Sequence, residues 1–263
     1  MKKESVDIKI SDLKKEFNKI QYIDKKDLLD FYIQFYPELT NQNFRRILYS
    51  LEKNEVISSS GSGLFYLNLN ENSPKKKYLP SPSQSLRILN EKMKYKFPHL
   101  DFLIWETKFL NEFMVHQIGV NHIILDVERG TEASVFNQIS EEYSGNIFLN
   151  PDIFTMESYV QQLSEAIIIS NLISQTPLGR KEKKISFAPI EKILVDLLVD
   201  DEKFFSFQGN ELISIYNEVF NSYLINIKSL IRYAGRRKAI PELKKFIINK
   251  TQVEIGNLTS EKK

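Results

Sequence analysis

Asp126 and Glu128 stand two residues apart in the apolar run that begins at His122, and Glu106 closes a second such run. Alternate side chains of a strand share a face, so two acids at this spacing can meet a third at a neighbouring strand end and hold Mg²⁺ for phosphodiester cleavage. In its restriction-endonuclease form that chemistry wants a Lys two residues after an acid. Here the position after Asp126 is Glu128, and Arg129 is one residue out of phase. The plainer reading is three acids facing solvent near strand ends. A metal-dependent nuclease stays as the alternative.

Other catalytic chemistries find fewer residues still. The chain has no Cys, which excludes thiol catalysis, disulfides and Cys-based zinc sites. A three-histidine metal site would need His99, His116 and His122 together, all that the chain has. His116 and His122 bracket a loop with no evident carboxylate to orient them, and read as surface or partly packed. Trp105 reads as core. Neither a phosphate-binding glycine loop nor a nucleophile elbow is present. We expect no enzyme, no metal and no cofactor.

Basic residues offer a second chemistry. Arg232 and Arg236 are four apart and share a helix face, with Arg237 and Lys238 beside them. This group, with Arg180, Lys181, Lys183 and Lys184, could hold phosphates of DNA or RNA. Equally, arginines at a helix end can satisfy carbonyls and pair with Glu, and residues 180–184 can be merely solvated. Charge is uneven along the chain. Residues 1–78 hold 14 Lys and Arg against 11 Asp and Glu, residues 79–179 hold 6 against 12, and residues 180–263 hold 16 against 11. Basic ends around an acidic middle fit nucleic-acid contacts made by the ends, and fit a solvated Lys-rich surface as well.

The elements that would position these groups divide at residues 68–83, whose prolines and consecutive lysines read as a linker. We expect a domain over 1–78 and another over 79–263. Upstream, Ile10, Leu13 and Phe17 keep helical spacing. Asp24 and Thr40 are N-cap choices for two further helices, the first stopped by Pro37 and the second carrying Phe44, Ile47, Leu48 and Leu51 on one face. Glu55–Ile57 and Leu64–Leu67 read as strands around the turn Ser58–Gly63.

Helix, turn, helix and Gly-rich hairpin describe a winged helix-turn-helix. Its second helix would present Asn41, Gln42, Asn43, Arg45, Arg46 and Tyr49 outward. Asn and Gln suit adenine edges, and Arg suits guanine or phosphate. Ser60 and Ser62, in the small turn, are placed to approach a phosphate backbone. Such modules also dock proteins, so that reading stays open.

Downstream, the runs Phe102–Trp105, His122–Leu125, Asn146–Leu149 and Ala166–Ile169 are strand-like, with room for a crossover helix near 132–143. From Pro189 onward only helical periodicity remains. The expected class is α+β or α/β: a winged helix-turn-helix, then a mixed α/β domain with a C-terminal helical cap. The apolar runs are short and the first residues lack a signal-peptide core, so we expect a cytoplasmic protein without a membrane span.

Several phrases occur together in the second domain: Trp105-Glu106-Thr107, Leu110-Asn111-Glu112-Phe113-Met114, Phe148-Leu149-Asn150-Pro151-Asp152, the run Pro189–Leu197, and Arg232-Tyr233-Ala234-Gly235-Arg236-Arg237. With the expected winged helix in front, the layout resembles AbiEi-type antitoxins of bacterial type IV toxin–antitoxin (abortive phage infection) systems. The resemblance implies an N-terminal reader of inverted repeats in the protein's own promoter, hence a double-stranded DNA partner and autorepression. It also implies a C-terminal domain that counteracts a nucleotidyltransferase-like toxin without a stable complex.

Overall fold

The computed structural model describes residues 8–18, 20, 22–61, 63–69, 75–143, 145–174, 176, 181–182 and 185–253. The protein is a mixed α and β protein, and its contacts divide it into two units. No helix among the described residues is long and apolar enough to cross a membrane.

Unit 1 comprises Met1–Lys77, Phe220–Ser229 and Lys244–Lys263. Its N-terminal part runs α1 (Ile10–Glu16), β1 (Tyr22–Asp24), α2 (Lys25–Phe35), α3 (Asn41–Lys53), β2 (Ile57–Ser59) and β3 (Leu64–Leu67). Both expected caps form: the Asp24 carboxylate accepts from Lys26 N at 2.7 Å, and Thr40 Oγ1 accepts from Asn43 N at 3.3 Å. The three strands make one antiparallel sheet in the order β1-β3-β2, with Tyr22 opposite Tyr66 and Ile57 opposite Leu67. The helices close over it through Leu13, Leu28, Phe31, Phe44, Ile47 and Leu51.

One local expectation changes, and one strand was not anticipated. Glu55 does not begin a strand: its φ of 55° is left-handed, and it ends α3 while Val56 N donates to Leu51 O at 2.9 Å. β1 is a three-residue strand, too short to show an alternation in sequence.

Unit 2 comprises Tyr78–Val219 and Leu230–Leu243. It begins with α4 (Gln84–Lys96) and β4 (Phe102–Glu106), followed by a 3₁₀ turn over Thr107–Phe113. Then come β5 (Asn121–Val127), α5 (Glu132–Ile139), β6 (Ile147–Leu149), α6 (Ile153–Ser158) and β7 (Glu165–Asn171). Strand order is β4-β5-β7-β6; β4 is antiparallel to β5, whereas β5, β7 and β6 are parallel. All four expected strands form. Parallel strands are covered on both faces, which explains unbroken runs such as Ala166–Ile169.

A short antiparallel pair follows, β8 (Lys181–Glu182) with β9 (Ile185–Ser186). After it come α7 (Ile190–Val199), α8 (Asn210–Ser222), α9 (Ile227–Arg236) and α10 (Ile240–Lys250), with residues of the last three divided between the units.

The expected boundary after residue 78 lies beside the division at Lys77, but the expectation of two continuous domains does not describe the chain, because unit 1 draws on C-terminal residues. Lys75 Nζ donates to Phe220 O, Lys76 bridges Tyr223, and the Tyr22 and Phe220 rings meet edge to face at 6.3 Å. The ends of the expected linker are likewise anchored. Asn68 is buried beside the Glu55 carbonyl, and Ser83 Oγ caps α4 at Leu86 N.

Candidate functional site

In unit 1, α3 is strongly two-faced. Phe44, Ile47, Leu48 and Leu51 are buried, while Asn41, Gln42, Arg45 and Arg46 are exposed and Asn43 is half-buried. Tyr49 is 67% exposed, unusual for a large aromatic side chain. Arg46 reaches back one turn to Asn43 Oδ1 at 3.5 Å, whereas Arg45 has no partner among the described residues. The face therefore offers amide and guanidinium donors that the fold does not consume.

The turn after β2 behaves differently from expectation. Ser60 is 2% exposed; its hydroxyl donates to Ile225 O and accepts from Ile227 N at 3.4 Å. Gly61 has a left-handed φ of 88°, and a Cβ there would lie 2.7 Å from Asn226 Oδ1. Ser60 is thus a core hydrogen-bonding group of unit 1 and cannot serve as a free phosphate donor. Ser62 lies outside the described residues.

In unit 2 the acids of the alternative reading separate. β4 and β5 are antiparallel, so Glu106 pairs with Ile123 and Asp126 with Leu103, at opposite ends of the ladder. Glu106 is buried, where it accepts from Ser83 N at 2.8 Å, Ser83 Oγ at 2.6 Å and Asn121 Nδ2 at 2.9 Å. It fastens the start of α4 to that of β5. Asp126 is buried too, and Glu128 lies beyond β5 on the surface. Neither convergence nor solvent exposure holds for Glu106 and Asp126. No group of three or more acids and histidines among the described residues is arranged to hold a metal ion.

Asp126 instead meets a residue that the sequence reading passed over. Lys192 Nζ, on α7, lies 2.6 Å from Asp126 Oδ2 and also pairs with Asp196 one turn along its own helix. Tyr233 OH, from α9, donates to Asp196 Oδ1 at 2.7 Å. Burial draws the Lys192 ammonium toward neutrality, but the two facing carboxylates more than offset this and hold it charged well above its usual range. Burial pushes the Asp126 carboxyl up, against the pull of Lys192, as expected where one cation serves two acids. A signal was present: Lys192 and Asp196 at i,i+4, with Glu191 beside them, are the charges inside the mostly apolar helix Ile190–Val199.

This network floors a pocket of about 200 Å³ at the carboxyl end of the parallel strands. Asn150, Ser170 and Asn171 come from the ends of β6 and β7, and Lys203 donates to Ser170 Oγ at 2.8 Å. A second groove of about 700 Å³ adjoins it through Asn171 and Ile173, and holds Asp101, Glu128, Arg129 and Arg236.

The expected basic cluster is split. Arg232 and Arg236 are exposed on α9. Arg237 is half-buried and donates to the Asp200 carboxylate. Lys238 closes the helix with a left-handed φ of 58°. Arg180, Lys183 and Lys184 lie outside the described residues; Lys181 is placed in β8.

His116 does have a carboxylate beside it, contrary to expectation: its Nδ1 lies 2.7 Å from Glu211 Oε1. His122 is buried, which lowers its pKa and favours the neutral ring. Trp105 is fully buried and stacks at a tilt on Phe204.

No curated protein matches the sequence. Residues 43–253, well over half of the chain, match a family described as a family of unknown function, DUF6577, and the chain belongs to that family.

Proposed function

We propose that the protein is a DNA-binding transcriptional autorepressor whose residues 10–67 work as a winged helix-turn-helix, with α3 as the reading helix. The observation that carries this reading is the division of α3: four apolar side chains secure it to the unit 1 core, while Asn41, Gln42, Arg45, Arg46 and Tyr49 remain available on its outer side. These are the side-chain types that pair with base edges and phosphates in a major groove. The order helix, strand, helix, helix, strand, strand supports the same reading.

The resemblance of the second half's short phrases and of the whole layout to AbiEi-type antitoxins supports a wider role. In that role the protein is the antitoxin of a type IV toxin–antitoxin operon and counteracts a nucleotidyltransferase-like toxin. A nuclease reading draws no support from Glu106 and Asp126, which lie at opposite ends of the β4-β5 ladder.

A reporter under the DNA upstream of the protein's own gene tests the proposal. Expression of the full chain should silence it, and the R45A/R46A variant at equal protein level should not. Co-expression of a nucleotidyltransferase-like toxin from the same operon should be tolerated only with the full chain present. An unrepressed reporter would reject the repressor, and unrelieved toxicity would reject the antitoxin.

A further inference from the structure

The parallel strands β5, β7 and β6 end at Val127, Asn171 and Leu149; Asp126, Asn171 and Asn150 at or beside these ends line the inner cavity, and in open sheets of this kind ligands sit outside the carboxyl ends of the strands. Here two cavities, of about 200 and about 700 Å³, lie side by side within unit 2 and share the lining residues Asn171 and Ile173. We propose that the two together form a cleft that binds a nucleoside monophosphate, with its phosphate in the inner cavity beside Lys203 and its sugar and base in the outer groove.

The unspent charges sort the ligand. In the inner cavity, Lys192 lies between Asp126 and Asp196, one cation serving two acids, and Arg237 is paired with Asp200. Lys203 has a hydroxyl partner, Ser170 Oγ, but no carboxylate within ion-pair range among the described residues. One ammonium with a serine hydroxyl and two nearby Asn amides suits one compact anionic group. The outer groove is different. Arg129 and Arg236 are exposed and unpartnered among the described residues, and so are the carboxylates of Asp101 and Glu128.

A second anionic group entering there would meet two carboxylates as well as two guanidiniums, so a polynucleotide is disfavoured. A neutral portion carrying O–H and N–H donors is favoured, because Asp101 and Glu128 can accept from sugar hydroxyls or base amines. The arginine planes can lie against a base. An anionic end followed by a neutral, donor-rich, planar end is the pattern of a nucleoside monophosphate. This site is separate from the α3 face, and the two proposals can fail independently.

Isothermal titration of the full chain with AMP, GMP, CMP and UMP tests the site, with inorganic phosphate and a single-stranded hexanucleotide as further probes. At least one monophosphate should bind one to one, and at least tenfold more tightly than inorganic phosphate. K203M should weaken it tenfold or more and R129A several-fold, while R45A/R46A should leave it unchanged. Should K203M fail to fold, the exposed-site variants R129A and R236A decide. The proposal is overturned if no monophosphate binds at millimolar concentration. Affinity within twofold of wild type in the folded cleft variants overturns it as well, as does tighter binding of the hexanucleotide at that site.

Discussion

Lys192 Nζ lies 2.6 Å from Asp126 Oδ2, so one buried ammonium ties the first turn of α7 to the carboxyl end of β5 across 66 residues of sequence. Taking charges out of water costs several kcal/mol per ion, and a buried pair is weak evidence of net stabilisation. Its removal by halves is a different matter. K192M strands two carboxylates in the interior and should destabilise unit 2 by about 3–5 kcal/mol. The triple variant D126L/K192M/D196L should lose much less. Urea unfolding followed by the fluorescence of Trp105 reads both; a loss below about 1 kcal/mol for K192M would mean that water or a shifted proton relieves the charge.

The turn after β2 is a second place where deletion should be costly. S60A removes a buried hydroxyl that serves both Ile225 O and Ile227 N, and should destabilise unit 1 by about 1–3 kcal/mol. G61A adds a Cβ 2.7 Å from Asn226 Oδ1 on a left-handed backbone, and should do similar damage. Because the serine faces the core, the folded fraction of S60A should keep its DNA affinity. Weaker DNA binding at unchanged stability would show Ser60 acting outward.

Unit 1 is built from both ends of the sequence, so a fragment of residues 1–78 lacks Phe220–Ser229 and Lys244–Lys263. Expressed alone, it leaves the inner side of Tyr22 and the Ser60 hydroxyl without their neighbours at Phe220 and Ile225. Its amides should exchange much faster than the same amides in the full chain. Equal protection in fragment and full chain would show that residues 8–69 suffice as a domain.

The Lys75 amine sits over the Tyr66 ring at 4.1 Å from its centroid and donates to Phe220 O, and burial lowers its pKa from 10.5 to about 8. Unfolding therefore takes up a proton between about pH 8 and 10.5, and in that window the stability of unit 1 rises with pH. Below about pH 8 the contribution is flat. K75M should lack the rise. Urea midpoints of both proteins from pH 7 to 10 measure it, and parallel curves would show an amine with an ordinary pKa.

Much of the fold was legible because local chemistry decided it. Asp24 and Thr40 are strong caps, and each caps the helix its position suggests. The apolar runs at Phe102, His122, Asn146 and Ala166 became strands because a sheet covered on both faces needs unbroken hydrophobicity. The site was less legible because its relations are long-range. Whether Glu106 and Asp126 converge depends on strand direction, which neither side chain encodes. That Ser60 faces Ile225 depends on residues 165 positions away. The charges of α7 were visible as an anomaly, yet their partner Asp126 became known only from the packing of α7 on β5.

In the proposed function, α3 reads DNA with its outer face. Fluorescence anisotropy of the purified full chain on labelled duplex from upstream of its own gene, across a salt series, measures it most directly. The protein should bind that duplex in preference to a scrambled one. R45A/R46A should lose about 1–3 kcal/mol for each specific arginine contact removed and show a shallower salt dependence. Equal affinity of wild type and folded R45A/R46A for the upstream duplex would contradict that role of α3.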